Sequence, residues 1–265
     1  MTGIERTAVP YDRAPGGATN AYVVGSEDAL LVDPAGRTDE LDAAVDERSV
    51  AHVAVTHAHP DHVGGVAHYA DALDATVWCR AGREDRFERT AGVAPDKTFR
   101  PGRSLPGTDG ATALDTPGHA PDHVAFRVGD TVLVGDLAVA EGSVAVTAPD
   151  GDMRAYLIAL RRLHAQNPER LLPGHGPAIK APRETLDRLV SHRRDRERRI
   201  ETAVRGGART LVDIVDAAYE KDLTGVREMA VRTVEAHLEK LAVEGRVEWD
   251  GELASPRCKP PERNL

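Results

Sequence analysis

Two cysteines in 265 residues, Cys79 and Cys258, are too few for a disulfide framework, and neither belongs to a pair spaced for metal binding. Both read as plain thiols. No apolar run approaches the roughly 20 residues that cross a bilayer, and Met1–Pro10 lacks a basic stretch followed by a hydrophobic one. A cytoplasmic protein with no membrane partner is therefore expected. Aromatic residues make up only 4% of the chain, so Val, Leu and Ala must do most of the packing within a 41% apolar share, as in an α/β protein of ordinary stability. Lysine is scarce, at Lys97, Lys180, Lys221, Lys240 and Lys259, and the net charge is −9. That balance disfavours sequence-blind binding to nucleic acid, which depends on neutralising phosphates. Arg, Asp and Ala abound instead, as expected of a high-salt cytoplasm or of a GC-rich genome.

The length suits one large domain and a small one. Asn20–Val24 and Ala29–Asp33 are apolar runs separated by Gly25-Ser26-Glu27-Asp28, which predicts a hairpin. Thr38–Glu47 has helical spacing, and Val50–Thr56 reads as a buried strand ending where a run of histidines begins. A helix is expected over His62–Ala70. Further strands are expected at Thr76–Cys79, Ala111–Thr116, His123–Val128 and Thr131–Val134. Met153–His164 carries a helical apolar face, after which Leu171 and Leu172 lead into Pro173-Gly174-His175-Gly176-Pro177. A charged helix follows over Ala181–Val204, closed by Gly206-Gly207. Thr210 with Asp213 has the form of a capping box, and Val231, Val234, Leu238 and Leu241 mark a second helix that Gly245 ends. Asp250-Gly251 then suits a tight hairpin turn with positive φ at both central residues. Helices followed by a hairpin suggest a winged helix. The expected division is residues 1–180 as a catalytic domain, 181–207 as a charged connecting helix, and 208–265 as the winged-helix-like domain.

His57-Ala58-His59-Pro60-Asp61-His62 places three imidazoles and a carboxylate within six residues, at a turn from strand to helix. Packing does not account for such density. Imidazole with carboxylate suits zinc, iron or manganese, whereas magnesium would be met by oxygen ligands. Three other turns add matching groups: His119 after Thr116-Pro117-Gly118, Asp136 after Val134-Gly135, and His175. Strand ends are where α/β sites are built. Isolated histidines such as His52, His68, His164 and His237 read as ordinary surface or core residues.

The run from His57 to His62 has the H-x-H-x-D-H form, and with His119, Asp136 and His175 the chain resembles the metallo-β-lactamase-fold hydrolases. That resemblance implies an αββα sandwich holding two divalent metal ions, with zinc the first expectation and iron or manganese the others. His57, His59 and His119 would hold one ion, Asp61, His62 and His175 the other, and Asp136 would bridge them. His192-Arg193-x-x-Arg196-Glu197-x-x-Ile200 and the terminal module further resemble the β-lactamase-like protein 2 subfamily, which carries a winged helix. Because zinc β-lactamases usually lack the bridging aspartate seen here as Asp136, antibiotic hydrolysis is not the expected activity.

The implied chemistry is hydrolysis by a metal-bridging hydroxide, with Asp61 orienting or deprotonating the water. His123 is a candidate proton donor, or else a support for the metal ligands. Asp33 could anchor a ligand histidine, though Asp33-Pro34 equally reads as a turn. The ligands do not separate a thioester, a lactone and a phosphodiester. The subfamily implies single-stranded RNA cleavage, and the chief rival is thioester hydrolysis of the glyoxalase II type. A mononuclear iron persulfide dioxygenase and a non-catalytic partner-binding protein are the remaining alternatives. Nine arginines between Arg183 and Arg209 could track a phosphate backbone or form a solvated helix with i,i+4 pairs. The second helix of the terminal module mixes Arg227, Arg232 and Lys240 with Glu228, Glu235, Glu239 and Glu244, so double-stranded DNA is disfavoured. That module is expected to cover a rim of the site or to mediate a homodimer.

Overall fold

The computed structural model describes residues 3–105 and 110–257. Cys258 lies outside them, while Cys79 is buried and free. A six-stranded sheet runs in the order β1 (Ile4–Pro10), β2 (Ala18–Val24), β3 (Ala29–Val32), β4 (Val50–Ala54), β5 (Thr76–Arg80), β6 (Lys97–Phe99). Its first three strands are antiparallel, β2 and β3 forming the expected hairpin, and the rest join in parallel. A four-stranded sheet faces it, ordered β10 (Arg170–Pro173), β9 (Thr131–Gly135), β8 (Val124–Val128), β7 (Thr112–Asp115).

Side chains alternate across each strand, so every central strand feeds two cores. Tyr22, Leu30, Val32, Phe126, Leu133 and Leu172 fill the space between the sheets. Their neighbours Val23, Leu31 and Val53 point outward, under α1 (Asp39–Asp46), α3 (Val66–Leu73) and α4 (Glu84–Ala91). On the opposite outer face Val132, Val134 and Leu171 meet α5 (Met153–Ala165) and α6 (Pro182–Arg205). The result is the expected αββα sandwich. Local chemistry sets several helix starts: Thr38 accepts a hydrogen bond from the backbone N–H of Leu41, and Asp152 accepts from those of Arg154 and Ala155.

A fourth core joins the end of α6, through Ile200, Ala203 and Val204, to α7 (Leu211–Ala218), α8 (Arg227–Val243) and the hairpin of β11 (Val247–Trp249) with β12 (Ala254–Pro256). This is the winged helix, and its capping box of Thr210 with Asp213 is present. No helix among the described residues is long and apolar enough to cross a membrane.

Two expectations need correction, and three elements were not anticipated. The helix over His62–Ala70 is two short helices, α2 (Pro60–Val63) and α3, because Gly64 and Gly65 lie against the carbonyls of Ala35, Pro34 and Gly36 and break the run. The hairpin turns through four residues, not two: Asp250 Oδ1 accepts from the N–H groups of Glu252 and Leu253, and only Gly251 has positive φ. Strands β1 and β6 and helix α4 had no counterpart in the sequence pattern.

Candidate metal centre

The seven residues reach one place from four chain segments. His57 and His59 follow β4, and Asp61 and His62 sit on α2. His119 lies in the β7–β8 turn, Asp136 directly after β9, and His175 two residues past β10. Three subsets have donor atoms within 4.8 Å of one another: His57, His59 and His119; His57, His62 and Asp136; and Asp61, His62 and His175. Nε2 of His57 and Nε2 of His119 lie 3.0 and 2.9 Å from Nδ1 of His59. Nε2 of His175 lies 3.3 Å from Asp136 Oδ1 and 3.5 Å from Asp61 Oδ2, and Nε2 of His119 is 3.5 Å from Asp136 Oδ2.

Outer partners decide which nitrogen each ring turns inward. Nδ1 of His119 donates to the carbonyl of Ala145 at 2.7 Å, and Nδ1 of His175 to that of Ala18 at 2.9 Å. The hydroxyl of Thr56 donates to Asp33 Oδ2 at 2.8 Å, so it accepts from Nδ1 of His57 at 3.1 Å. In each ring the remaining nitrogen, Nε2, presents a lone pair to the interior. The lone pairs of His57 and His119 converge at 3.0 and 2.9 Å on Nδ1 of His59, which can point a proton at no more than one of them, so a cation among the three rings would satisfy what the protein alone does not. Nε2 of His62, Nε2 of His175 and Oδ1 of Asp136 are buried without a hydrogen-bond partner. Buried polar atoms are ordinarily satisfied, so these residues fit divalent ions, and N–O ligation fits zinc, iron or manganese.

Electrostatics separates the rings. Burial, reinforced by the neighbouring histidines, pushes His57 well below the usual imidazole range and His59 down to about 3, so both keep their lone pairs. Burial also disfavours charge on His62, but the carboxylates of Asp33, Asp136 and Asp61 outweigh it and raise that ring to about 9. Burial would raise Asp136, yet the ring of His175, 3.3 Å away, and the charges of His62 and His119 hold it below the carboxylate range. His175 is raised by Asp136 against the opposing effect of burial.

The geometry corrects the proton-donor expectation for His123. This ring is fully buried; its Nε2 accepts the backbone N–H of Asp136 at 3.1 Å and its Nδ1 donates to Thr116 Oγ1 at 2.9 Å. Burial pushes it down to about 3. No nitrogen is left for a substrate. Two residues outside the expected ligand set hold the site together. Asp33, with φ of 54°, binds the N–H and hydroxyl of Thr56 and lies 3.0 Å from Nδ1 of His62. Asp122 accepts the N–H of Ala58 at 2.7 Å and pairs with Arg86, tying down the loop between His57 and His59. Its position beside His123 was the available signal.

The cluster floors a cleft of about 560 Å³. One wall carries Leu223, Val226, Met229 and Ala230 from the winged helix, so that module does cover a rim of the site. The lining also includes the basic groups Arg13, His192, Arg193, Arg196 and Lys221. A larger hollow beside Arg198 and Ala217 lies away from the cluster.

Residues 14–175 match the family model of the metallo-beta-lactamase superfamily, and residues 210–255 match the beta-lactamase associated winged helix domain. A beta-lactamase-like protein 2 homolog from Drosophila melanogaster is 29% identical over 248 residues, covering 86% of this chain and 84% of that protein. The thioesterase pkgB of Emericella nidulans is 32% identical over 199 residues, covering 69% of this chain and 53% of that protein. A metallo-beta-lactamase family protein from Thermus thermophilus superposes with a TM-score of 0.78 at 23% identity, across 96% of this chain and 99% of its own, which bears on the fold alone. With the family model spanning more than half of the chain on a sandwich of the expected kind, this protein belongs to the metallo-beta-lactamase superfamily and carries its associated winged helix domain.

Proposed function

We propose that this chain is a metal-dependent hydrolase of acyl thioesters or esters. Two divalent ions would be held by His57, His59 and His119 on one side and Asp61, His62 and His175 on the other, with Asp136 between them. When bound, such ions polarise a carbonyl and lower the pKa of a water toward about 7. Asp61, the more open carboxylate of the cluster, would orient that water and accept its proton.

The observation that carries the reading is the cleft. Its floor is the donor cluster and one wall is apolar, with Val226 and Met229 39% and 45% exposed in a position to receive an acyl group. The leaving group agrees. A thiol with a pKa near about 8.5 departs as thiolate without a proton from the protein, and His123 has none to offer. The thioesterase name of one relative points the same way.

Single-stranded RNA cleavage is the second reading, and the arginine-rich α6 is the feature that would favour it. Most of those guanidiniums are occupied by the protein itself. Arg188 donates to the carbonyls of Val139, Ala140 and Gly142, and Arg193 to that of Val144. Arg198 and Arg205 pair with Asp195 and Glu201, and Arg209 donates to Val204. The cations of α8 are likewise paired, Arg227 with Asp216, Arg232 with Glu228, and Lys240 with Glu197, which weighs against duplex DNA.

The test is metal content by elemental analysis, followed by turnover of an acylglutathione and of labelled single-stranded RNA, each beside Asp61→Ala. About two metal ions per chain with thioester turnover that falls at least about a hundredfold in Asp61→Ala is the expected result. RNA cleavage alone would move the assignment to the nuclease. One iron with no hydrolysis would leave the dioxygenase.

A further inference from the structure

Arg193 is 3% exposed, yet it forms no ion pair among the described residues. Its Nη2 donates to the carbonyl of Val144 and its guanidinium lies over the ring of Tyr156. Its Nε is buried without a hydrogen-bond partner. Nη1 of Arg196 and Nδ1 of His192 are in the same condition, and the Arg196 guanidinium stacks 3.5 Å from the ring centre of Tyr219. All three residues line the cleft, joined by Lys221 from the α7–α8 segment.

Buried cations are ordinarily paired, because desolvating them costs several kcal/mol that a counter-charge must offset. The neighbouring acid does not serve: Glu197 points away and pairs with Lys240 and Arg246. Apart from Asp61 and Asp136, the acid in the cleft lining is Glu141, which is exposed. The crowding registers on His192, pushed down to about 4 by burial and then by Arg193, Arg196 and Lys221.

We propose that His192, Arg193, Arg196 and Lys221 form a subsite for an oxyanion of the substrate within this cleft. An incoming carboxylate or phosphate would satisfy the orphaned donors with charge-assisted hydrogen bonds, which a planar guanidinium forms well. The subsite rests on the thioester reading for what the anion is attached to. The anion has two sources: a carboxylate at the far end of the acyl group, or a phosphate on the thiol carrier.

Binding and turnover test it separately. Calorimetry on the zinc-loaded protein would use glutarate, pantetheine 4′-phosphate and neutral pantetheine, with Arg196→Gln and Lys221→Ala as variants. Lys221 is exposed, so its variant folds whatever happens to the other. Arg198→Gln, in the other hollow, is the control. We expect one anion to bind the wild type about ten- to a hundredfold more tightly than either variant, with the control unchanged. Weakening for glutarate identifies the acyl carboxylate, and weakening for the phosphate identifies the carrier. Equal affinity in wild type and variants, as for an anion held by zinc alone, would overturn the subsite. In turnover, the kcat/KM ratio of glutaryl over pentanoyl pantetheine, or of a phosphorylated over a neutral carrier, falls about tenfold or more in the variants. Should the wild type hydrolyse neither thioester, the functional reading fails while the binding result still decides the subsite.

Discussion

Asp33 Oδ2 stands 3.0 Å from Nδ1 of His62, with both side chains buried, and the same carboxylate holds Thr56 behind His57. One residue therefore orients a ring in each half of the cluster. Outer partners of this kind are worth about 10- to 100-fold in metal affinity. Asn tolerates the left-handed backbone that Asp33 adopts, so Asp33→Asn removes the charge while keeping the turn. We expect its metal affinity to fall by about that factor in a competition titration against a chromophoric chelator. Wild-type affinity in the variant would refute the anchoring role.

Metal binding should release protons. His62 is raised to about 9 in the metal-free protein, so near pH 7 a metal must displace its proton. Titrations in two buffers of different ionisation enthalpy should show net proton release near pH 7 that fades above pH 9. The sign for stability follows. A pKa raised above the unfolded value near 6.5 means that the Asp33–His62 pair stabilises the metal-free fold fully below pH 6.5 and is lost as pH rises through about 9. The Tm of chelated protein should therefore drop across that window. A Tm that rises there would count against the assignment.

Chelation itself should lower the Tm, because only the native chain brings together donors from four separate segments. Differential scanning calorimetry with and without a chelator at pH 7 checks this. Equal midpoints would mean that the cluster holds no metal.

Gly174 is required by space. A Cβ there would lie 2.7 Å from Asp136 Oδ1 and 2.8 Å from Cε1 of His62. Gly174→Ala should lower metal content and hydrolysis together by at least about tenfold while far-ultraviolet dichroism stays that of the wild type. Full metal content in the variant would show that the cluster yields.

Ile200 is fully buried in the core that α6 shares with the winged helix. Truncation to Ala should cost about 2–5 kcal/mol in denaturant unfolding. A change below about 1 kcal/mol would mean that this core packs loosely.

The site was legible where ligands crowd one turn: six residues from His57 to His62 carry four donor groups, a density that only function explains. The sandwich was legible where short, nearly continuous apolar runs are bounded by turn residues, as in β2, β3, β8 and β9. Strand β1 is half-exposed at an edge and mixes Glu5, Arg6 and Thr7 with its apolar residues, so its pairing with β2 leaves no periodic mark. Helix α4 buries only Phe87 and Ala91. Asp33 was legible only as one of two readings, histidine anchor or turn residue, because its contacts lie 23 and more residues away while locally Asp-Pro is an ordinary turn. The apolar wall was invisible too, because Val226 and Met229 acquire a role only when the winged helix folds back over the cluster.

Helix α6 is one continuous rod of 24 residues serving two masters. Near its start Arg188 and Arg193 grip the carbonyls of the segment 139–144 along the cleft, and at its end Ile200, Ala203 and Val204 belong to the winged-helix core. The jaws of the cleft are thus mounted on a single beam. Its aperture is set by a helix of fixed length, so the size of group admitted becomes a matter of which side chains line the jaws rather than how far they swing.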